Sequence, residues 1–530
     1  MPHGKSWGVL FSQTMNTPAI NGRRQIRIGV LISYAAIAFN MIAGLIYTPW
    51  MIGHIGKSNY GLYTLATSLI TMFTIDFGLS AAVSRFLSKY NAERNYELAN
   101  NFLGIIYKLY LAIAAIIFII LIVVFFFINS IYTKLSSEEL ETFKMLYAVV
   151  GLYTVVSFPF INLNGILTSY ELFIGLKLSD FFHKLFIVIA MVIALLLHKG
   201  VLALVTINAI SGLLTIVIKL CIIHWKTPVK INFHYSDHKL LKSIFAFSIW
   251  TTIAAIAQRL IMNITPSIIA SVSATGTAGV AVFGLAAVLE GYVYTFATAI
   301  NGMFMPRISR ILHAQRKEEE LVPLMNKIGR LQCLLVGLLA VGFISVGKSF
   351  IIDIWRKPDY GLSYFCAILL ILPSLFYLPM EIANTALVVE NKVKLKAFVF
   401  MIMGGLNFVL SIILCRYFGA LGAAMSIFIA YMVRTILIFV IHLRVMKLDM
   451  LSFAKECYGK ILPALILVML IGLGLERWNP ISIRSVRFLA NSVAIVIIYC
   501  LVSLFFVCNQ AEKAMLGDLF RKILPGRKKA

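Results

Sequence analysis

The sequence predicts an all-α polytopic membrane protein of about fourteen transmembrane helices: two pseudo-symmetric six-helix lobes followed by two C-terminal helices. Three observations predict it. Apolar blocks are long enough to cross a bilayer, the basic residues are distributed to one side, and one segment recurs six spans later. Of 530 residues, 60% are hydrophobic and 13% charged, whereas soluble domains hold nearer one half apolar residues. The blocks run for about 20 residues, enough for a helix to cross about 30 Å of hydrocarbon. An outer-membrane barrel would instead alternate polar and apolar residues over short strands.

Residues 1–27 form an N-terminal segment. Spans 28–50, 60–88, 102–131, 145–169, 172–197 and 200–224 make a first lobe, 28–224. A polar loop, 225–242, joins it to a second lobe, 243–444, with spans 243–271, 277–304, 328–354, 361–389, 396–418 and 420–444. Spans 460–476 and 487–508 belong to an appendage, 445–508, and a basic tail, 509–530, follows. Apolar sequence continues past "AAIA" (35–38), so the first span is expected to be retained rather than cleaved as a leader.

The formal net charge is +25, and its placement argues against nucleic acid. With the N-terminus in the cytoplasm, 25 of the 47 Lys and Arg fall on the even-numbered loops and both tails, 8 on the opposite loops and 14 inside spans, several of these at span ends. That bias places both termini in the cytoplasm. The basic stretches "RRQIR" (23–27) and "RKILPGRKK" (521–529) then face an anionic leaflet. Seven cysteines without CxxC spacing read as small apolar packing residues. "HYSDH" (234–238) stands alone among nine histidines, so no metal is expected. No Walker A pattern is present, and no cofactor is expected. The short far-side loops offer no catalytic domain and no paired carboxylates, which argues against an enzyme.

The repeat links "YGLYTLATSLITMFTIDFGLSAAVSRFLSKYNAERNYEL" in the second span with "FGLAAVLEGYVYTFATAINGMFMPRISRILHAQRKEEEL" in the eighth. Gly61 precedes Arg85 by 24 residues and Gly284 precedes Arg307 by 23. Two spans six helices apart share one orientation, as in parallel-repeat transporters that handle substrate between their halves.

An ionisable group at the bilayer centre costs about 2.5–3.5 kcal/mol on insertion scales and therefore faces a partner or a wet cavity. The mid-depth candidates are Asp76, Lys184, Arg259, Glu290, Glu381 and Arg434. Lys108 and Lys219 are expected to snorkel to the nearby interface. At 100° per residue, Thr252, Arg259, Asn263 and Pro266 share one face. Glu290, Tyr294, Ala297 and Asn301 share another, and so do Ser374, Tyr377, Glu381 and Thr385. Asp180 and Lys184, four apart, are expected to pair with each other. Asp76 cannot reach Arg85, half a turn round and well below it, so Arg259 is its expected cross-helix partner. Pro159, Pro266, Pro373 and Pro379 interrupt spans and permit bending.

The stretch "IGKSNYGLYTLATSLITMFTIDFGLSAAVSRFLSKYNAE" resembles the early signature of the polysaccharide transporter family, through Gly56, Tyr60, Gly61, Asp76, Gly78 and Arg85. The family belongs to the multidrug/oligosaccharidyl-lipid/polysaccharide exporter superfamily. Its relatives often carry an acidic residue shortly after the arginine of the seventh span, where "AQRLIMN" has Asn263. The resemblance implies a flippase carrying polyprenyl-diphosphate-linked oligosaccharide, a precursor of O-antigen, capsule or exopolysaccharide, to the outer leaflet of a prokaryotic inner membrane. It implies a cavity lined by spans one, two, seven and eight, and membrane lipids, a polymerase or a chain-length regulator as partners. On that footing Arg259 would hold the diphosphate, with Arg85, Arg307 and Arg310 attracting it at the mouth. Tyr294, Asn263 and Asn301 would meet the sugars, and Asp76, Glu290 and Glu381 are candidates for ion coupling. The alternatives are a lipid II-type precursor flippase and a drug or cation antiporter of the same superfamily.

Overall fold

The structure, a computed structural model, describes residues 22–74, 79–298, 304–314, 316–390, 392–510 and 512–513. The chain begins with α1 (Gly22–Ile55), α2 (Lys57–Phe73), α3 (Leu79–Ala92), α4 (Tyr96–Ile131), α5 (Ser137–Ser157), α6 (Leu163–Ser169), α7 (Phe173–Leu196) and α8 (Val201–Lys226). It continues with α9 (His238–Val272), α10 (Gly276–Thr298), α11 (Met305–His313), α12 (Val322–Ser349), α13 (Gly361–Tyr377), α14 (Glu381–Val389) and α15 (Val393–Arg444). It closes with α16 (Met450–Tyr458), α17 (Ile461–Trp478) and α18 (Arg484–Val502). No strand occurs among the described residues.

Among the described residues, twelve helical segments are long and apolar enough to cross a membrane. Two of them double back, at Gly56 and at Gly419, so these segments make fourteen passes. Both glycines sit at positive φ, +81° and +57°, where a Cβ is strained. The break at Gly419 falls between the two spans the sequence separates there. Its flanking arms are stitched by Ser411 and Ser426, whose hydroxyls lie 2.6 Å apart, and by Asn407, which accepts from Ser426 at 3.2 Å. Helix boundaries elsewhere run past the apolar blocks: α9 starts at His238 and α1 at Gly22, because polar first turns can stand in the interface.

Large apolar side chains cover the outside; Phe126 is 78% exposed and Phe506 75%. Such a surface belongs in lipid. The loops and helix ends rich in Lys and Arg, including 226–242, 314–317 and 444–460, define a basic end. The turns at 56, 132–136, 273–275 and 355–360 define the opposite end.

The last two spans are not loosely attached. α17 and α18 pack on α12, and Arg330 of α12, only 8% exposed, clasps the chain on either side of them. Its guanidinium donates to both carboxylate oxygens of Glu512, at 2.7 and 3.0 Å, to the Glu456 carbonyl at 2.5 Å and to the Val507 carbonyl at 2.9 Å. Burial pushes the Glu512 carboxyl up, but the Arg330 hydrogen bonds outweigh it and hold it below the usual carboxylate range. A depressed folded value means that this stabilisation is complete above the unfolded value of about 4.3 and fades as pH falls below it. Arg330→Met is expected to cost about 3–5 kcal/mol, since one partner of a buried pair is removed. It should appear as an earlier thermal transition in detergent that the substitution Glu512→Gln partly reproduces.

Candidate functional site

The two halves of the chain meet chiefly where α2 packs against α9 and α10. Glycine lets the backbones approach: a Cβ on Gly61 would stand 2.1 Å from the Thr277 carbonyl, and one on Gly284 would stand 2.5 Å from the Thr64 methyl. Both contacts lie in the half of the helices nearer the opposite end. There Lys57 also donates to the Asp359 carbonyl at 2.9 Å and lies over the Tyr360 ring. The repeat seen in the sequence thus places its two glycines in one interface.

At the basic end, Arg85 on α3 and Arg307 and Arg310 on α11 are all exposed. On α11 the buried Ile308 and Ile311 turn inward, and helical phase puts the two arginines outward. The structure therefore places these three cations at one end of the molecule.

Arg259 is exposed on α9, and Asn263 one turn on donates its side-chain amide to the Arg259 carbonyl at 2.9 Å. Among the described residues no ion pair engages Arg259. The predicted stripe is not uniform, for Thr252 is buried while Arg259 is exposed. Asp76 and Asn301 lie outside the described residues, and so does the expected Asp76–Arg259 bridge.

The sequence puts Glu290 and Tyr294 on one face and points to Glu381 and Arg434 apart from them, and the structure joins all four. Arg434, on the second arm of α15, is 4% exposed. Its guanidinium carbon sits 3.7 Å from the Tyr377 ring centre, 4.4 Å from that of Tyr431 and 5.9 Å from that of Phe400. Glu290 of α10 and Arg434 interact electrostatically. Tyr294, one turn further along α10, shares the field of Glu290, Glu381 and Arg434. Glu381 accepts from Asn384 at 3.1 Å, and the Asn384 oxygen lies 3.0 Å from Nε2 of the fully buried His442. Lys396 on the first arm of α15 feels both Glu381 and Arg434. The cluster thus brings two carboxylates and two cations together, with aromatic side chains around Arg434.

Sequence reasoning missed Lys396, Tyr431, Asn384 and His442. Lys396 starts a predicted span and resembles an end residue. The spacing of Tyr431 and Arg434, three apart on one helix face, was the available signal.

Two expectations are corrected. The direct ion pair of Asp180 is with Lys219 at 2.8 Å, while Lys184 feels the Asp180 charge only from beyond ion-pair distance. Lys219 does not snorkel; it is 8% exposed and donates also to Asn164 at 2.9 Å. An i,i+4 pair contributes only about 0.2–0.5 kcal/mol, so the packing of α8 on α7 and α6 decides instead, bringing a carboxylate and an amide to one ammonium.

Between α1, α10, α12 and α18 lies an apolar cleft of about 370 Å³, lined by Met41, Leu45, Leu289, Phe343, Phe488 and Ile495 among others. No group of three or more His, Cys, Asp or Glu able to hold a metal occurs among the described residues.

Residues 26–312 match a family model described as polysaccharide biosynthesis protein. No curated protein matches the sequence. Among solved structures, the chain is similar to the lipid II flippase MurJ in an inward closed conformation, with TM-score 0.64 and 16% identity over 94% of this chain and 100% of that one. It is also similar to a multidrug resistance MATE family transporter of the MOP superfamily. In its inward-facing conformation the TM-score is 0.63 at 15% identity, over 80% of this chain and 99% of that one. For an outward-facing conformation it is 0.53 at 15% identity, over 81% and 96%. With a matched region longer than half its length and a fold of the MurJ and MATE kind, this fourteen-pass membrane protein belongs to the polysaccharide biosynthesis protein family.

Proposed function

We propose that the protein carries polyprenyl-diphosphate-linked oligosaccharide from the inner to the outer leaflet of a prokaryotic cytoplasmic membrane by alternating access of two six-helix lobes, 28–224 and 243–444. The observation that carries the reading is Arg259: an exposed guanidinium midway along a membrane helix, with no ion pair among the described residues. Its cost in hydrocarbon is removed if it faces a hydrated gap and meets an anion. A diphosphate offers paired oxygens that the guanidinium fork binds together. Both termini lie in the cytoplasm on this reading, so the basic end is the entrance, where Arg85, Arg307 and Arg310 concentrate the anionic head.

Asn263, Tyr294 and Asn301 would give the sugars hydrogen bonds and a stacking face, and the apolar cleft beside α1 and α10 suits the lipid tail. Glu290 and Glu381, with Asp76, are the groups we assign to ion coupling; charge exchange at Glu290 or Glu381 would be felt at once by Arg434 and Lys396. Outward movement of two negative charges through 100 mV, inside negative, already gains about 4.6 kcal/mol. The repeat units would pass to a polymerase or a chain-length regulator.

A lipid II-type substrate is the second reading, favoured by the likeness to MurJ across nearly the whole chain. A drug or cation antiporter suits the mid-depth cations poorly. A deletion strain decides between the readings: it should accumulate lipid-linked oligosaccharide on the cytoplasmic side and retain normal peptidoglycan. Accumulation of the peptidoglycan precursor instead would support the second reading, and accumulation of neither would overturn both.

A further inference from the structure

Glu139 stands at the third position of α5, where its carboxylate completes a capping box. Ser136 Oγ accepts from the Glu139 amide at 3.3 Å, and Glu139 Oε2 accepts from the Ser136 amide at 2.9 Å. That duty occupies one oxygen. The other, Oε1, accepts from Ser58 Oγ and from Thr277 Oγ1, each at 2.5 Å, and the two hydroxyls lie 3.2 Å apart. Helix capping does not require this second set of contacts. Ser58 is the second residue of α2 and Thr277 the second of α10, so one carboxylate joins three helix starts, two in the first half of the chain and one in the second. Thr277 is 4% exposed, and its carbonyl is the group that Gly61 approaches most closely.

We infer that Glu139 is a positioning residue of the transport cycle: with Ser58 and Thr277 it latches the two lobes together at the end opposite the basic mouth, and the Thr277 bond must break before that end can open. The inference rests on the alternating-access reading. The contacts at this end fit a closed gate. α2 and α10 meet through glycine, and Tyr132 and Thr133 of the α4–α5 turn reach Ser267 and Ser271 of α9 at 3.3 and 3.4 Å. Those neighbours are neutral hydroxyls and a carbonyl, whereas the Glu139 contacts, like the bond from Lys57 to the Asp359 carbonyl, are charge-assisted and hence stronger. The hydroxyls also give the carboxylate two donors that need no counter-ion, so opening exposes it to water without stranding a cation.

The test uses the full-length protein in membranes, with Thr64→Cys introduced at the α2–α10 contact and its reaction with an impermeant maleimide followed over time. Glu139→Gln keeps a residue that serves a capping box equally well but removes the charge, and Thr277→Val leaves the box untouched. Losing a hydrogen bond to a charged group, worth about 1.5–3 kcal/mol, should raise labelling about ten-fold or more in Thr277→Val, and Glu139→Gln, which leaves a neutral acceptor, should raise it by less. Because both act on the same contact, the double variant should label no faster than Thr277→Val. Labelling unchanged in Thr277→Val, with Glu139 variants affected only in thermal stability, would reduce Glu139 to a helix cap and overturn the latch. That result would leave the flippase reading standing, since it depends on substrate accumulation and not on this gate. Accelerated labelling in both variants, with lipid-linked oligosaccharide never accumulating in the deletion strain, would keep the latch and remove the substrate.

Discussion

Arg259→Ala is expected to stop export while the protein remains folded and inserted. The side chain is exposed and forms no ion pair among the described residues, and the Arg259 carbonyl that accepts from Asn263 belongs to the backbone and survives the substitution. Stability should therefore change little, and the effect should fall on transport. Two charge-assisted hydrogen bonds to a diphosphate, at about 1.5 kcal/mol or more each, correspond to a loss of about 100-fold or more. Arg259→Lys keeps the charge without the fork and should retain an intermediate rate. The measurement is accumulation of lipid-linked oligosaccharide on the cytoplasmic side at matched protein level. Full activity of the alanine variant would remove Arg259 from the substrate path.

Arg434→Ala should act in the opposite way, through stability first. Its guanidinium is buried, lies over the rings of Tyr377 and Tyr431, and is a cation whose field acts on Glu290. Truncation leaves Glu290 without the cation whose field reaches it and opens a cavity beside two rings, at a cost of about 2–5 kcal/mol. The thermal transition in detergent should move clearly downward. Adding Glu290→Gln should restore part of it, because the stranded charge is then gone. A single variant as stable as the parent protein would show that the cluster is not an electrostatic unit, and equal losses in single and double variants would show that Glu290 is not the stranded group.

The fold was legible because its signals are local. Each span is a contiguous apolar block, the hairpin at Gly419 sits between two of them, and the repeat needs only two segments to be compared. The site was legible one residue at a time. Charge at mid-depth marks Glu290, Glu381 and Arg434, since hydrocarbon penalises each by itself. What the sequence does not carry is which of them meet. Tyr377 and Phe400 reach Arg434 from helices that only tertiary packing sets beside it, and Lys219 takes Asp180 from an intrahelical neighbour for the same reason. Glu139 escaped notice because a capping box explains a glutamate at that position completely; its second oxygen becomes informative only when α2 and α10 are in place.

The central claim is that an anionic, lipid-linked head crosses through a gap with surplus positive charge. It is tested most directly by reconstituting the purified protein in vesicles loaded with polyprenyl-diphosphate oligosaccharide, and following exposure of the sugar to an impermeant lectin under an imposed membrane potential. Sugar should become accessible only in vesicles containing the protein, faster when the compartment of origin is negative, and about 100-fold more slowly with Arg259→Ala, the value set by two lost charged hydrogen bonds. Folded protein that moves no sugar, or moves it equally well without the Arg259 guanidinium, would contradict the account.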